Sequence, residues 1–128
     1  MDYILKNSST IMGNIHDFIV KTNDREWSAL IENGFHYKGV FVMSLRYDKK
    51  QNRSNTILLK FEAGTSYPYH NHPAGEELFV LHGSCEIEDA MLTAGDYLYT
   101  PPGFKHSVNS AAGCTLLLSI PEEVEIIK

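Results

Sequence analysis

The chain has 128 residues, with 11 Lys or Arg against 16 Asp or Glu and a formal net charge of −5, which suits one domain with its own apolar core. Its 43% hydrophobic content excludes a disordered chain. The acidic balance, concentrated after Arg53 where 3 bases face 10 acids, excludes a general nucleic-acid binder and favours cations over phosphates.

Residues 1–6 contain no basic segment leading into an apolar one, so no secretory signal is read there. No apolar run approaches the roughly 20 residues that a membrane span needs. A cytoplasmic, non-membrane protein is expected. Ile15-His16-Asp17-Phe18-Ile19-Val20 is the first apolar run and a candidate edge strand. The best helix candidate runs from Asp24 to Asn33, with Asp24 as its cap and Gly34 as its stop. Val40–Tyr47 and Thr56–Phe61 are short and rich in β-branched and aromatic residues, as strands are, and the polar stretch Asp48–Asn55 between them reads as a solvated loop. Downstream, short apolar runs alternate with Gly64, Pro73-Ala74-Gly75, Gly83, Gly95, Pro101-Pro102-Gly103, Gly113 and Pro121. Many short strands punctuated in this way predict an all-β sandwich or barrel, a single domain over residues 1–128. Cys85 and Cys114 form no Cys-x-x-Cys pair and are too few for a disulfide framework, so they read as buried, inert thiols.

The chemistry-bearing residues are histidines and a glutamate. His70 and His72 follow a strand-like lead, and alternate residues of a strand share a face, so both imidazoles project the same way. The Pro73-Ala74-Gly75 turn then returns the chain, and Glu76 or Glu77 opens the next run. Two imidazoles and a carboxylate on one face make a metal site. His106, just past the Pro-Pro-Gly loop, offers a third imidazole. His16, His36 and His82 belong to no such set and read as ordinary surface residues.

These residues resemble the cupin superfamily. Its first signature, G-x5-H-x-H-x3,4-E-x6-G, is matched by Gly64, His70, His72, Glu76 and Gly83. Its second, G-x5-P-x-G-x2-H-x3-N, is matched by Gly95, Pro101, Gly103 and His106, with Asn109 one position early. The two motifs, at 64–83 and 95–109, imply a jelly-roll barrel of short antiparallel strands and a metal held by His70, His72, Glu76 and His106. The six-residue interval to Gly83 favours Glu76 over Glu77. That choice turns Leu78 and Val80 toward the metal and leaves Glu77 as an outer charge. Tyr97, Tyr99 and Phe104 join them as pocket candidates, and Tyr67, Tyr69 and Phe79 complete the nearby aromatic supply. The run from Pro68 to Gly83, the Pro-Pro-Gly loop, a late Gly113-Cys114 and an early Trp27 are similar to the cupin domain of ChrR-type anti-sigma factors. That branch also contains stand-alone dioxygenases acting on aromatic ketones and β-diketones. A chain of this length is expected to lack the helical sigma-binding domain.

The resemblance implies one divalent transition metal: Fe(II), Zn, Mn, Ni or Co. A six-coordinate ion on four protein ligands keeps two open positions, which suits an oxygenase acting on a small carbonyl or enol-forming molecule, with no separate protein base assigned. Zinc in a closed tetrahedron gives the alternative of a binding or sensing module. Metal-dependent isomerase or lyase chemistry is a third reading. The resemblance also implies a homodimer, with the Ile15–Val20 edge as its candidate contact.

Overall fold

A computed structural model describes residues 13–128; the segment read above for a secretory signal, residues 1–6, and the start of the expected domain lie outside it. Among the described residues, ten strands follow in chain order: β1 (Ser28–Glu32), β2 (Phe35–Asp48), β3 (Arg53–Phe61), β4 (Thr65–Asn71), β5 (Glu76–Ile87), β6 (Ala90–Thr93), β7 (Tyr97–Thr100), β8 (His106–Ser110), β9 (Cys114–Ser119) and β10 (Glu125–Ile126). No α-helix forms among the described residues, and no helix there is long and apolar enough to cross a membrane.

All pairing is antiparallel, in the order β1-β2-β3-β9-β5-β8-β4-β10, with β6 and β7 also on β5. β5 belongs to both halves of the resulting jelly roll. Its first part, Glu76–Gly83, lies beside β7 and β9, and its end, Ser84–Ile87, lies beside β6 and β8. The corner falls at Gly83. This residue holds φ +74°, and a Cβ there would strike the Gly113 carbonyl and stand 2.8 Å from Cys114 Cα. The last glycine of the first motif is thus needed both for its left-handed backbone and for strand contact.

The interior follows strand alternation. Leu78 and Val80 of β5 pair with Leu118 and Leu116 of β9, and all four are almost fully buried. Burying each such side chain stabilises the fold by about 1.5–3 kcal/mol. Cys85, Ile87, Val108 and Cys114 extend the same cluster across the corner.

Two expected elements differ. Asp24–Asn33 is not a helix: a single 3-10 turn at Thr22–Asp24 gives way to β1, and Asn33 and Gly34, both at positive φ, close a hairpin onto β2. Asn-Gly is a hairpin turn signal, and the tertiary sheet overrides the helical reading. Ile15–Phe18 is likewise a 3-10 turn, capped by Asn14 and with no buried residue, rather than an edge strand. The loop between the long hairpin strands is shorter than expected, because β2 extends to Asp48 and β3 begins at Arg53. Trp27 lies under the Lys60 ammonium, 4.6 Å from its ring centroid.

Candidate metal centre

Strand register brings the imidazoles together. His70 and His72 sit two apart across the end of β4, and His106, the first residue of β8, is the direct cross-strand partner of His70. The three rings meet edge to face at centroid distances of 4.7, 4.7 and 5.3 Å. His70 Nε2 lies 3.0 Å from His72 Nε2. Each of the three histidines turns one nitrogen inward, and these atoms lie within 4.8 Å of one another. All three side chains are buried.

The carboxylate arrives by the turn that the sequence predicts. The Gly75 N–H donates to the His72 carbonyl at 3.0 Å, and Glu76 begins β5 facing back toward the imidazoles. Gly75 has no room for a side chain: a Cβ would lie 2.9 Å from the Thr100 carbonyl and 3.3 Å from Pro102 Cδ. That contact presses the Glu76 turn against the Pro-Pro-Gly loop preceding His106. Glu76 Oε2 is 3.3 Å from His72 Nε2, and Glu76 Oε1 is 3.6 Å from His106 Nε2. Glu77 is exposed on the opposite face and accepts a hydrogen bond from the Tyr97 hydroxyl at 2.8 Å.

The electrostatics fit a divalent cation. Burial pushes the Glu76 carboxyl up to about 8. Burial, then the charges of His70 and His106, holds His72 down at about 3; burial, then His70, holds His106 at about 4. Burial also lowers His70, against a hydrogen bond to the Pro68 carbonyl. That 2.6 Å bond fixes a proton on His70 Nδ1 and leaves Nε2 as a lone-pair donor toward the cluster. Glu76 Oε1 and His106 Nε2 are buried without a hydrogen-bond partner. Buried polar atoms of this kind are normally satisfied. Neutral imidazoles and a carboxylate that must lose a proton form the donor set of a transition-metal ion.

A cavity of about 370 Å³ reaches this cluster. Its polar end is His70, His72 and Glu76, and Leu59, Phe61, Leu78, Leu116 and Leu118 form much of its wall. β1 adds Leu30, Ile31 and Glu32, and Arg53 stands where β3 begins. Tyr67 lines the cavity too. Its ring meets His70 edge to face at 4.9 Å, and its hydroxyl donates to Glu32 Oε1 at 2.5 Å. Burial, then that hydrogen bond, raises the Tyr67 phenol, so it stays protonated.

The pocket candidates divide. Leu78 lines the cavity, whereas Val80 packs in the core beneath it. Tyr97 and Tyr99 point outward and are more than half exposed, because Glu76 pairs with Thr100 and Leu78 with Leu98, which puts both tyrosines on the far face. Phe104 is also exposed, and together with Tyr99 it lines a separate groove bordered by His106. Tyr67, from the aromatic supply, faces the cavity, while Tyr69 and Phe79 are exposed. Glu32 and Arg53 carry no motif. Only the β1–β2 and β2–β3 registers place them, Glu32 opposite Phe35 and Arg53 opposite Asp48. His16, His36 and His82 are exposed.

The profile of the ChrR cupin-like domain matches residues 15–121. The DNA damage-repair/toleration protein DRT102 of Arabidopsis thaliana is 39% identical over 59 residues, 41% of this chain and 19% of that protein, so the chain spans about a fifth of the curated relative it matches. An RmlC-like cupin protein from Ralstonia eutropha JMP134 superimposes with a TM-score of 0.72 at 21% identity, covering 86% of this chain and 76% of that one. An acetylacetone dioxygenase from Acinetobacter johnsonii does so with a TM-score of 0.73 at 18% identity, covering 86% and 77%. At such identities the likeness establishes the fold.

Proposed function

The chain belongs to the ChrR cupin-like domain family, and from that membership and the geometry of its buried cluster we propose a metal-dependent oxygenase of small carbonyl or enol-forming molecules. The observation that carries the reading is a three-histidine, one-glutamate cluster at the end of a largely apolar cavity of about 370 Å³. His70, His72 and His106 would hold the ion through imidazole nitrogen, and Glu76 would hold it through its carboxylate. Fe(II) is the proposed ion, with Mn, Ni, Co and Zn as competitors for the same donors. When bound, such an ion would supply Lewis acidity and, as Fe(II), a redox couple.

The rest belongs to the chain. The Pro68 carbonyl holds His70 in the ligating tautomer. Leu59, Phe61, Leu78, Leu116 and Leu118 exclude water and accept the carbon body of the substrate. Tyr67, kept protonated, offers a polar contact on the wall beside His70. The acetylacetone dioxygenase of similar fold supports β-diketones as the first compounds to try.

The test is oxygen consumption by iron-loaded protein with panels of β-diketones and hydroxyacetophenones. Uptake that depends on both compound and iron is the expected result. No uptake across the panels in iron-replete protein overturns the proposal. Zinc as purified, in a closed tetrahedron, then favours the binding or sensing module. We extend the proposal to a homodimer, now through the exposed outer row of Phe79, Tyr97 and Tyr99 rather than the Ile15–Val20 segment. Sedimentation as a monomer at micromolar concentration removes that part.

A further inference from the structure

The cavity that reaches the cluster holds one arginine. Gln51, Asn52, Arg53 and Ser54, from the β2–β3 turn and the start of β3, make a polar patch on a wall that is otherwise largely apolar. Arg53 is the one Lys or Arg on that wall among the described residues. Strand register sets where the patch lies. Glu77 of β5 pairs with Ser119 of β9, Ser119 pairs with Thr56 of β3, and the Ile120 N–H donates to the Asn55 carbonyl at 2.7 Å. Arg53 and Glu76 therefore stand at the same end of the sheet, on strands that flank β9 and run about 10 Å apart.

The guanidinium is already oriented. Its Nη1 donates to the Ile120 carbonyl at 2.8 Å and to Gln51 Oε1 at 3.2 Å. Those bonds tie the β2–β3 turn to the chain after β9, a task that an ammonium could perform as well. They leave the other edge, Nε and Nη2, without an acceptor among the described residues. Two parallel N–H bonds on one edge match the two oxygens of a carboxylate. No carboxylate of the same wall takes that place. Glu76 faces the imidazoles, Glu32 accepts the Tyr67 hydrogen bond, and Glu123 is exposed; none of them forms an ion pair with Arg53.

We propose that Arg53 receives a carboxylate of the substrate, so that the molecule taken by the cavity is a small carbonyl compound ending in an acid group, a keto acid or diketo acid rather than a neutral diketone. The inference rests on the reading of the cluster as a metal centre that meets the carbonyl end. Arg53 then meets the acid end, and the carbon body lies against Leu59, Leu116 and Leu118 between them. Because Nη1 is held before any ligand arrives, binding of the acid orders little that was free. Arg53 is in this way a specificity-determining residue, acting on which molecule is held.

The experiment measures binding without turnover. Iron-loaded protein is titrated by calorimetry in the absence of oxygen with succinylacetone, a β-diketone ending in a carboxylate, and with its methyl ester, which keeps the diketone and loses the charge. The acid is expected to bind about 10- to 100-fold tighter than the ester. Arg53→Gln is expected to remove that preference, and Arg53→Lys to keep only part of it, because an ammonium is a point charge without the paired edge. Should Arg53→Gln fail to fold, the wild-type pair and the Lys variant decide. Equal affinity for acid and ester in the wild type, binding of neither, or a Gln variant that keeps the preference each overturns the proposal. Oxygen uptake with no preference for the acid overturns this inference and spares the oxygenase reading. A preference for the acid with no oxygen uptake across the panels supports this inference and overturns the oxygenase reading.

Discussion

Removing the metal exposes the linkage between Glu76 and folding. In the metal-free protein burial pushes Glu76 from an ordinary 4.5 up to about 8, while His72 and His106 are held near 3 and 4 against an ordinary 6.5. Between about pH 4.5 and 6.5 the unfolded chain takes up protons at the histidines and releases one at Glu76. The histidines outnumber the carboxyl, so stability rises with pH there. Above about pH 7.5 the histidines are neutral in both states, and Glu76 contributes with the opposite sign. The unfolded carboxylate is ionised while the folded one keeps its proton, so the Glu76 contribution falls by up to about 1.4 kcal/mol per pH unit until the folded carboxyl itself ionises near 8, about 1.5 kcal/mol in all between pH 6.5 and 8. Urea denaturation of chelator-treated wild type and Glu76→Gln at those two pH values isolates this contribution as the change in the difference between them, because Gln cannot ionise. Saturating divalent metal is expected to abolish the fall, because binding takes the carboxylate form. A Gln variant whose stability changes between the two pH values as the wild type's does refutes this reasoning.

Three further perturbations address the cavity and the corner. Tyr67→Phe keeps the ring against His70 but strips Glu32 of its donor, and is expected to destabilise by about 1 kcal/mol in denaturant titration. Tyr67→Ala also removes the ring and is expected to weaken metal affinity about 10- to 100-fold, read by competitive chelation. Leu118→Trp fills cavity volume at a cost of about 1–3 kcal/mol; metal content should hold while kcat/KM falls for bulky compounds more than for small ones. Gly83→Ala combines positive φ with a Cβ against the Gly113 carbonyl, and is expected to lower stability by about 2 kcal/mol or more by thermal melting.

The metal-facing residues were legible because their geometry is local. An alternate-residue histidine pair, a turn and the six-residue interval to Gly83 define which side of β5 faces inward, and Glu76 rather than Glu77 follows from them. The cavity wall is a different matter. Leu59, Leu116 and Leu118 become neighbours of Leu78 only through the register of β3, β9 and β5, which no short-range pattern encodes. The facing of Tyr97 and Tyr99 is set in the same way: it depends on whether Glu76 pairs with Thr100 or with a neighbour one residue away. At β1, an apolar run bounded by Asp24 and Gly34 satisfied helix rules. The Asn33-Gly34 turn belonged to a hairpin whose stability comes from β2.

That hairpin forms one wall of the cavity that reaches the buried cluster. β1 supplies Leu30, Ile31 and Glu32 to the cavity wall, yet among the described residues it bonds to one neighbour only, and its ladder slips between Ala29 and Ile31. β3 and β9, by contrast, are each bonded on both sides. Amide protons of β1 should therefore exchange with solvent well before those of β9, through local opening that leaves the interior intact. Each such opening parts one wall of the cavity while the four candidate ligands stay in place. The frequency of such opening is then expected to limit the association rate of bulky ligands, independently of how tightly they are finally held.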